Sequence, residues 1–377
     1  LPNTWTHLIF GQHALGETGQ KERISDPALT KLFNFGCQGP DFLFYHNYLP
    51  WKKDKTMNQL GSSMHNLHCG PVLMDMLDRV AALPEVGSER EQALVYTLGF
   101  VLHHILDRNM HPYVFSRSGF RKWDHQRFEV MMDTLIVQQL MGLETWRTQV
   151  WRELDYGSQL PASIVDTFED VAACHYPELA ATIEAEDWQN AARDMVQAQR
   201  LFYDPTGIRR LLTFGQFEAL VYKKSVPPLD ILNEQRLPWI DPTNAAIRHD
   251  ESVWMLWDQA MAEAKVIIPA IMDWLAAYQD PSDSLGAETR RSHVAALIAN
   301  RSYETGLDCE SGPPIRFAQS IWPDGGVNLN DQAPLPSAKS LAGRHPSRAD
   351  NADGSIADGR RAGPPACSSA HPRHMHD

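Results

Sequence analysis

ALVYTLGFVLHHILDRNMHP, residues 93–112, reads as one helix, and its composition decides what surrounds it. From Ala93 to Leu106 apolar side chains fall on nearly every face, the pattern of a helix enclosed by others rather than of an amphipathic surface helix. Polar residues then intrude. Gly99, His103, Asp107 and His111 recur at intervals of four, so they rise along one stripe with about 40° of drift per step. Enclosing an imidazole and a carboxylate in apolar surroundings is costly unless each is bonded or coordinated, and a divalent cation supplies that bond. The blander alternatives are a stripe facing water, or His103 and Asp107 satisfying each other. A solvated stripe usually carries Lys, Glu, Gln or Arg, however, and Gly99 one turn below His103 lets something approach the backbone. His104 points about 100° away and reads as a core or supporting histidine.

A second stripe follows. In WDHQRFEVMMD, residues 123–133, His125, Glu129 and Asp133 repeat the four-residue spacing, which lets an imidazole and a carboxylate reach one ion from adjacent turns. Such pairs also arise as exposed contacts between successive turns, and it is the nearness of the two stripes that gives this one weight. Asp133 reads as a supporting group or an ordinary ion-pair partner.

The rest of the chain is also helical in pattern. Asp26 before Pro27 makes an N-cap and first-turn pair for a helix ending near Gly36. Ser88 with Glu91 forms a capping box ahead of a helix that runs to about His111. Further helices are expected near 61–82, 125–155, 162–174, 187–203, 251–279 and 286–300, with Pro and Gly clusters between them. Alternation of the strand type is scarce, so the fold class is all-α, a multi-helix bundle. From Asp331 large apolar residues almost vanish, so residues 1–330 are expected to form a single helical domain and 331–377 a disordered low-complexity tail.

Composition narrows the function. A net charge of -13 argues against a general binder of nucleic-acid backbones, which needs a basic stripe, although a nuclease whose metals meet the phosphate survives this test. There is no apolar run of about 18 residues to span a bilayer. The five cysteines are scattered, with no CxxC pair, and read as reduced thiols. Together with an opening that lacks the basic and apolar regions of an export signal, this sets the expectation of a cytoplasmic protein, or a secreted one if the chain is already processed. Nine of the 16 histidines lie between His7 and His125, which is where chemistry is to be sought.

THLIFG at 6–11, GCQGPDFLFY at 36–45, GSSMHN at 61–66, LGFVLHHILDRNMHPYV at 98–114 and HQRFE at 125–129 together resemble the zinc-dependent phospholipase C family, in its branch without an export signal. LPWIDP at 237–242 and RSYETGL at 301–307 add to the likeness with less force. That family is similar to the P1 and S1 type nucleases, all-helical proteins built around up to three zinc ions. The resemblance implies that Asp41, His65, His103 and Asp107 hold one zinc, and His111, His125 and Glu129 a second. His7 would hold a third with Asp107, whose carboxylate then bridges two ions. Two or three Zn2+ are therefore expected. On the residues alone, Asp41 after Gly39-Pro40 reads first as a turn or cap aspartate, and His65 and His68 compete for one role; the family pattern makes Asp41 a ligand and favours His65. Secreted relatives complete the third site with an N-terminal tryptophan, whereas Trp5 here stands two residues before His7.

The implied activity is phosphodiester hydrolysis by metal-activated water, with Asp41 and Asp107 as the catalytic carboxylates and phospholipid head groups as substrate. Other phosphodiesters, nucleic acids among them, define the alternative enzyme, and a zinc-stabilised helical protein without catalysis the third reading. No stable nucleic-acid partner is expected. Without a basic amphipathic helix, any membrane contact would be transient.

Overall fold

The computed structural model describes residues 4–84, 87–157, 159–208 and 218–323, and the backbone of 327–329. Ten long helices order the described residues: α1 (Thr4–Glu17), α2 (Pro27–Gly36), α3 (Thr56–Asn66), α4 (Cys69–Ala82), α5 (Ser88–Ser118), α6 (Asp124–Met141), α7 (Ala162–His175), α8 (Ala185–Phe202), α9 (Val253–Tyr278) and α10 (Ser284–Ile298). Single helical turns at Gly39–Asp41 and Phe42–Tyr45 lead from α2 towards α3. Two short antiparallel pairs, Trp239–Ile240 with Arg248–His249 and Phe317–Gln319 with Val327–Leu329, are the strands among the described residues. The protein is mainly all-α. None of the described helices is long and apolar enough to cross a membrane.

Helix α5 is the axis, and the apolar wrap read from its sequence is buried as expected: Val95, Tyr96, Leu98, Phe100, Val101 and Ile105 are fully enclosed. Helices α1, α2, α4, α6 and α9 all pack on it. Small residues set the closest of these approaches. A Cβ on Gly99 would lie 2.6 Å from the Phe33 carbonyl oxygen and 2.7 Å from the Cys37 nitrogen, and one on Gly36 would lie 2.3 Å from the Tyr96 oxygen. The end of α2 is therefore in backbone contact with α5, the approach that Gly99 led us to expect. Helix α2 starts as its sequence dictates, with the Asp26 carboxylate accepting from the amides of Ala28 (2.6 Å) and Leu29 (3.3 Å) and Pro27 in the first turn.

Several boundaries differ from the sequence reading. Gly87, not Ser88, precedes α5, and no side chain caps it; Glu91 instead pairs with Arg23 at 3.0 Å. The helix also runs through Pro112 to Ser118. Proline removes the amide that would have bonded to the Arg108 carbonyl, and Gly306 packs over that oxygen so closely that a Cβ there would lie 2.3 Å away. The expected helix over 61–82 is two, broken where His68 takes a left-handed φ of 56°. Tertiary bonds hold the break: Tyr303 N–H donates to His65 O at 2.9 Å and Tyr176 O–H to Leu67 O at 2.6 Å. Helix α6 stops at Met141, where Gly142 adopts a φ of 64°. Cys37, Cys69 and Cys309 are free thiols, whereas Cys174 is disulfide-bonded, so the reading of five thiols is corrected. The described residues fall in one compact unit, Leu1–Asn330. The expected tail, 331–377, lies outside the described residues.

Candidate metal centre

Five elements deliver the buried polar groups. The turn at Gly39–Asp41 lies flat against α5, because a Cβ on Gly39 would sit 2.1 Å from the His103 ring and its φ of +52° suits glycine. That leaves Asp41 buried and facing the ring of His65 on α3, with Oδ1 3.0 Å from His65 Nε2. On α5, His103 Nε2 lies 3.0 Å from Asp107 Oδ2, and His111 Nε2 3.6 Å from Asp107 Oδ1. Helix α1 brings His7, whose Nε2 is 3.2 Å from Asp107 Oδ1 and whose ring stacks on His103 at 4.2 Å. Helix α6 adds Glu129, 2.8 Å from His125 Nε2 and 3.6 Å from His111 Nε2.

All eight residues singled out in the sequence thus converge. Their ligand atoms form three groups, each with all atoms within 4.8 Å of one another: Asp41, His65 and His103; His7, His103 and Asp107; and His111, His125 and Glu129. His103 belongs to two of them, and the Asp107–His111 contact joins the third. Asp107 is grouped with His7 and His103 rather than directly with Asp41 and His65.

Tautomers show which way the rings can act. His65 Nδ1 faces Gly61 O at 2.7 Å, His103 Nδ1 faces Cys37 O at 3.0 Å, and His111 Nδ1 faces Tyr303 O at 3.0 Å. A carbonyl only accepts, so Nδ1 carries the proton in each, and the neutral ring presents an Nε2 lone pair. Those lone pairs point at carboxylate oxygens. Lone pair against lone pair is repulsive unless a proton or a cation stands between them.

The chemistry of the donor set fits a metal. Asp41 Oδ2, His103 Nε2, Asp107 Oδ2 and His111 Nε2 are buried and lack a hydrogen-bond partner. Each such atom costs about 1–3 kcal/mol if left unsatisfied. Imidazole nitrogens and carboxylate oxygens without thiolate are the donors of hydrolytic zinc sites. The carboxylates are also held anionic. Burial would raise Asp107, but the imidazoles of His103, His111 and His7 hold it well below the usual carboxylate range. Burial is likewise outweighed at Glu129 by His125 and its other neighbours. Against the pull of burial, Asp107 and Glu129 raise the His111 imidazolium to about 9, the response of a ring facing anions where a cation belongs.

Residues near the stripes sort out plainly. His104 donates from Nε2 to Arg301 O at 2.7 Å, packs its ring at a tilt against Tyr303, and is kept neutral by burial and Arg108, so it is a core histidine. His68 sits at the break between α3 and α4, its ring near those of His175 and Tyr176, so it is His65 that reaches the cluster. Asp133 belongs to none of the three groups and caps α1 instead, accepting from the amides of Thr6 (2.6 Å) and Trp5 (3.2 Å) and from the hydroxyls of Thr6 and Tyr222.

The sequence reading missed the support from residues 298–309. Tyr303 is buried with its ring against His65, His103 and His104, and its carbonyl fixes His111. RSYETGL stood out in the sequence but suggested no role, because carbonyl acceptors leave no mark on residue type. Its one signal was Gly306, whose φ of +65° and contact with α5 exclude a side chain.

Residues 6–185 match the family model described as zinc dependent phospholipase C, a span that contains all eight clustered residues. No curated protein and no solved structure matches the chain.

Proposed function

Since the chain, through residues 6–185, belongs to the zinc-dependent phospholipase C family, we propose that it is a zinc-dependent phosphodiester hydrolase that cleaves the head groups of phospholipids. The observation that carries this reading is the set of buried, hydrogen-bond-orphaned nitrogen and oxygen atoms on Asp41, His103, Asp107 and His111.

In this reading Asp41, His65, His103 and Asp107 hold one ion, His111, His125 and Glu129 a second, and His7 with Asp107 a third. Bound zinc supplies Lewis acidity towards the phosphodiester and acidifies water for attack. The chain does the rest. The backbone carbonyls of Gly61, Cys37 and Tyr303 hold three imidazoles in the tautomer that offers Nε2. Asp107 lies between His7, His103 and His111 and joins the groups through one carboxylate. Asp41 Oδ2, buried and without a partner, is the oxygen available to orient a water or take its proton. The half-buried rings of Phe44, against His65, and Phe115, against His125, flank the cluster and offer apolar surface to a substrate.

Elemental analysis of purified protein tests the metal, and release of phosphocholine from phosphatidylcholine beside cleavage of single-stranded DNA tests the substrate. At least two zinc ions per chain and phosphocholine release are expected. DNA cleavage without phosphocholine release would transfer the reading to a nuclease, and two zincs with neither activity would leave a structural role. Fewer than two zincs would remove the mechanism.

A further inference from the structure

Outside the cluster, Cys69 and Cys309 stand with their sulfurs 3.4 Å apart although 240 residues separate them in sequence. Cys69 opens α4 just after the left-handed His68 and is buried; Cys309 closes the Asn300–Cys309 segment and is half-buried. The backbone on both sides is already fastened. Cys309 N–H donates to Asn300 O at 2.9 Å, Gly70 N–H to Asn300 Oδ1 at 3.3 Å, Ser302 Oγ to Asn66 Oδ1 at 3.0 Å, and Tyr303 N–H to His65 O at 2.9 Å. A Cβ on Gly70 would lie 2.1 Å from Ala299 O, so α4 begins in backbone contact with the segment that carries Cys309.

We propose that Cys69 and Cys309 are a redox pair, which a low-molecular-weight disulfide such as oxidised glutathione converts into an internal disulfide that staples Asn300–Cys309 to the start of α4. The inference goes beyond the hydrolase reading and does not need it. The Cys309 sulfur, reachable from solvent, attacks one sulfur of oxidised glutathione and expels one glutathione thiolate. The Cys69 sulfur, losing its proton, then attacks Cys309 of the mixed disulfide and expels the second. Two protein thiols are oxidised and one small disulfide is reduced to two thiols. Accessibility sets this order: Cys69 is shielded and meets the reagent only through its partner. The contact with Cys69 also holds the Cys309 thiol below its ordinary range, while burial pushes Cys69 up, which favours Cys309 as the attacking sulfur.

The staple acts on a segment that matters, since its Arg301 and Tyr303 carbonyls hold His104 and His111. The experiment incubates the folded full chain with excess oxidised glutathione, blocks remaining thiols with N-ethylmaleimide, and maps peptides without reduction. A Cys69–Cys309 linked peptide is expected, lighter by two hydrogens than the two thiol peptides together and absent from Cys309→Ser. A rise in Tm of roughly 5 °C, reversed by dithiothreitol, should accompany it, as closing a long loop predicts. Because Cys309 is only half-buried, Cys309→Ser should fold as the parent does, and its unoxidised Tm checks this. Recovery of Cys69 and Cys309 both alkylated would overturn the proposal. So would a stable glutathione adduct on Cys309, or a link from either residue to Cys174.

Discussion

Asp107 is the side chain on which the cluster is most dependent. One carboxylate meets three imidazoles, those of His7, His103 and His111, and its charge is what offsets their burial. Asparagine keeps the shape and replaces one acceptor with a donor, which must face an Nε2 or a cation. Asp107→Asn should lower zinc affinity by more than the 10–100-fold that outer partners typically contribute, with phosphodiesterase activity falling alongside. Unchanged zinc stoichiometry after gel filtration would count against a bridging role. Asp133 makes a contrasting case. Burial raises its carboxyl from 3.8 to about 6, despite the bonds from Thr6, Tyr222 and Trp5. A raised folded-state pKa stabilises fully below the unfolded value and loses that contribution as pH climbs through the folded one. The loss should amount to about 3 kcal/mol between pH 3.5 and 7, at roughly 1.4 kcal/mol per unit. Denaturant unfolding of Asp133→Asn and the parent at both ends of that range checks it, since the variant should gain on the parent by this amount as pH rises. A gap that stays constant would mean that Asp133 does not titrate in this window.

The spacing of helices is where sequence and structure agree best. The stripe on α5 was readable because an apolar helix has few reasons to carry His103, Asp107 and His111 at four-residue steps, and all three do point into the cluster. Gly99 was readable for the same reason. Its approach to α2 is between two backbones, which leaves no flexible side chain to move aside. Gly99→Ala should therefore cost at least about 1–3 kcal/mol, the usual penalty of overpacking, and weaken zinc binding, because the α2 end leads directly into the turn that carries Asp41. Gly16→Ala is the control. It lies in α1 with nothing within 4 Å of a new Cβ, and should gain up to about 1 kcal/mol from helix propensity. Equal Tm changes in the two variants would show that the α2–α5 contact does not limit stability. What sequence could not show were ends set by distant partners. The break at His68 depends on Tyr303 and Tyr176, passage through Pro112 depends on Gly306, and the start of α1 depends on Asp133 and Tyr222. None of these signals lies within the element that it shapes.

Taken whole, the molecule divides its labour unevenly along the chain. Every proposed ligand lies in residues 6–185, the span that matches the family, yet much of what holds those ligands comes from beyond it. The Arg301 carbonyl accepts from His104 at 2.7 Å and the Tyr303 carbonyl faces His111 Nδ1 at 3.0 Å. Ile298 O accepts from Arg108 Nη1 at 2.7 Å, and Glu263 on α9 pairs with the same guanidinium. Without these partners a neutral histidine, a proposed ligand histidine and an arginine would be left among apolar neighbours, and the face of α5 that packs on α9 would meet water. An unpaired buried charge alone typically costs 3–5 kcal/mol, a large part of the 5–15 kcal/mol that holds an ordinary domain together. A chain ending at residue 185 should therefore keep all eight ligands and still fail to assemble them. We expect it to melt without a cooperative transition and to bind fewer than two zincs, whereas a chain ending at residue 330 should melt sharply and hold its full complement. Calorimetry and elemental analysis of the two chains decide the matter, and a sharp transition with two zincs in the shorter one would show that the later helices do not build the site.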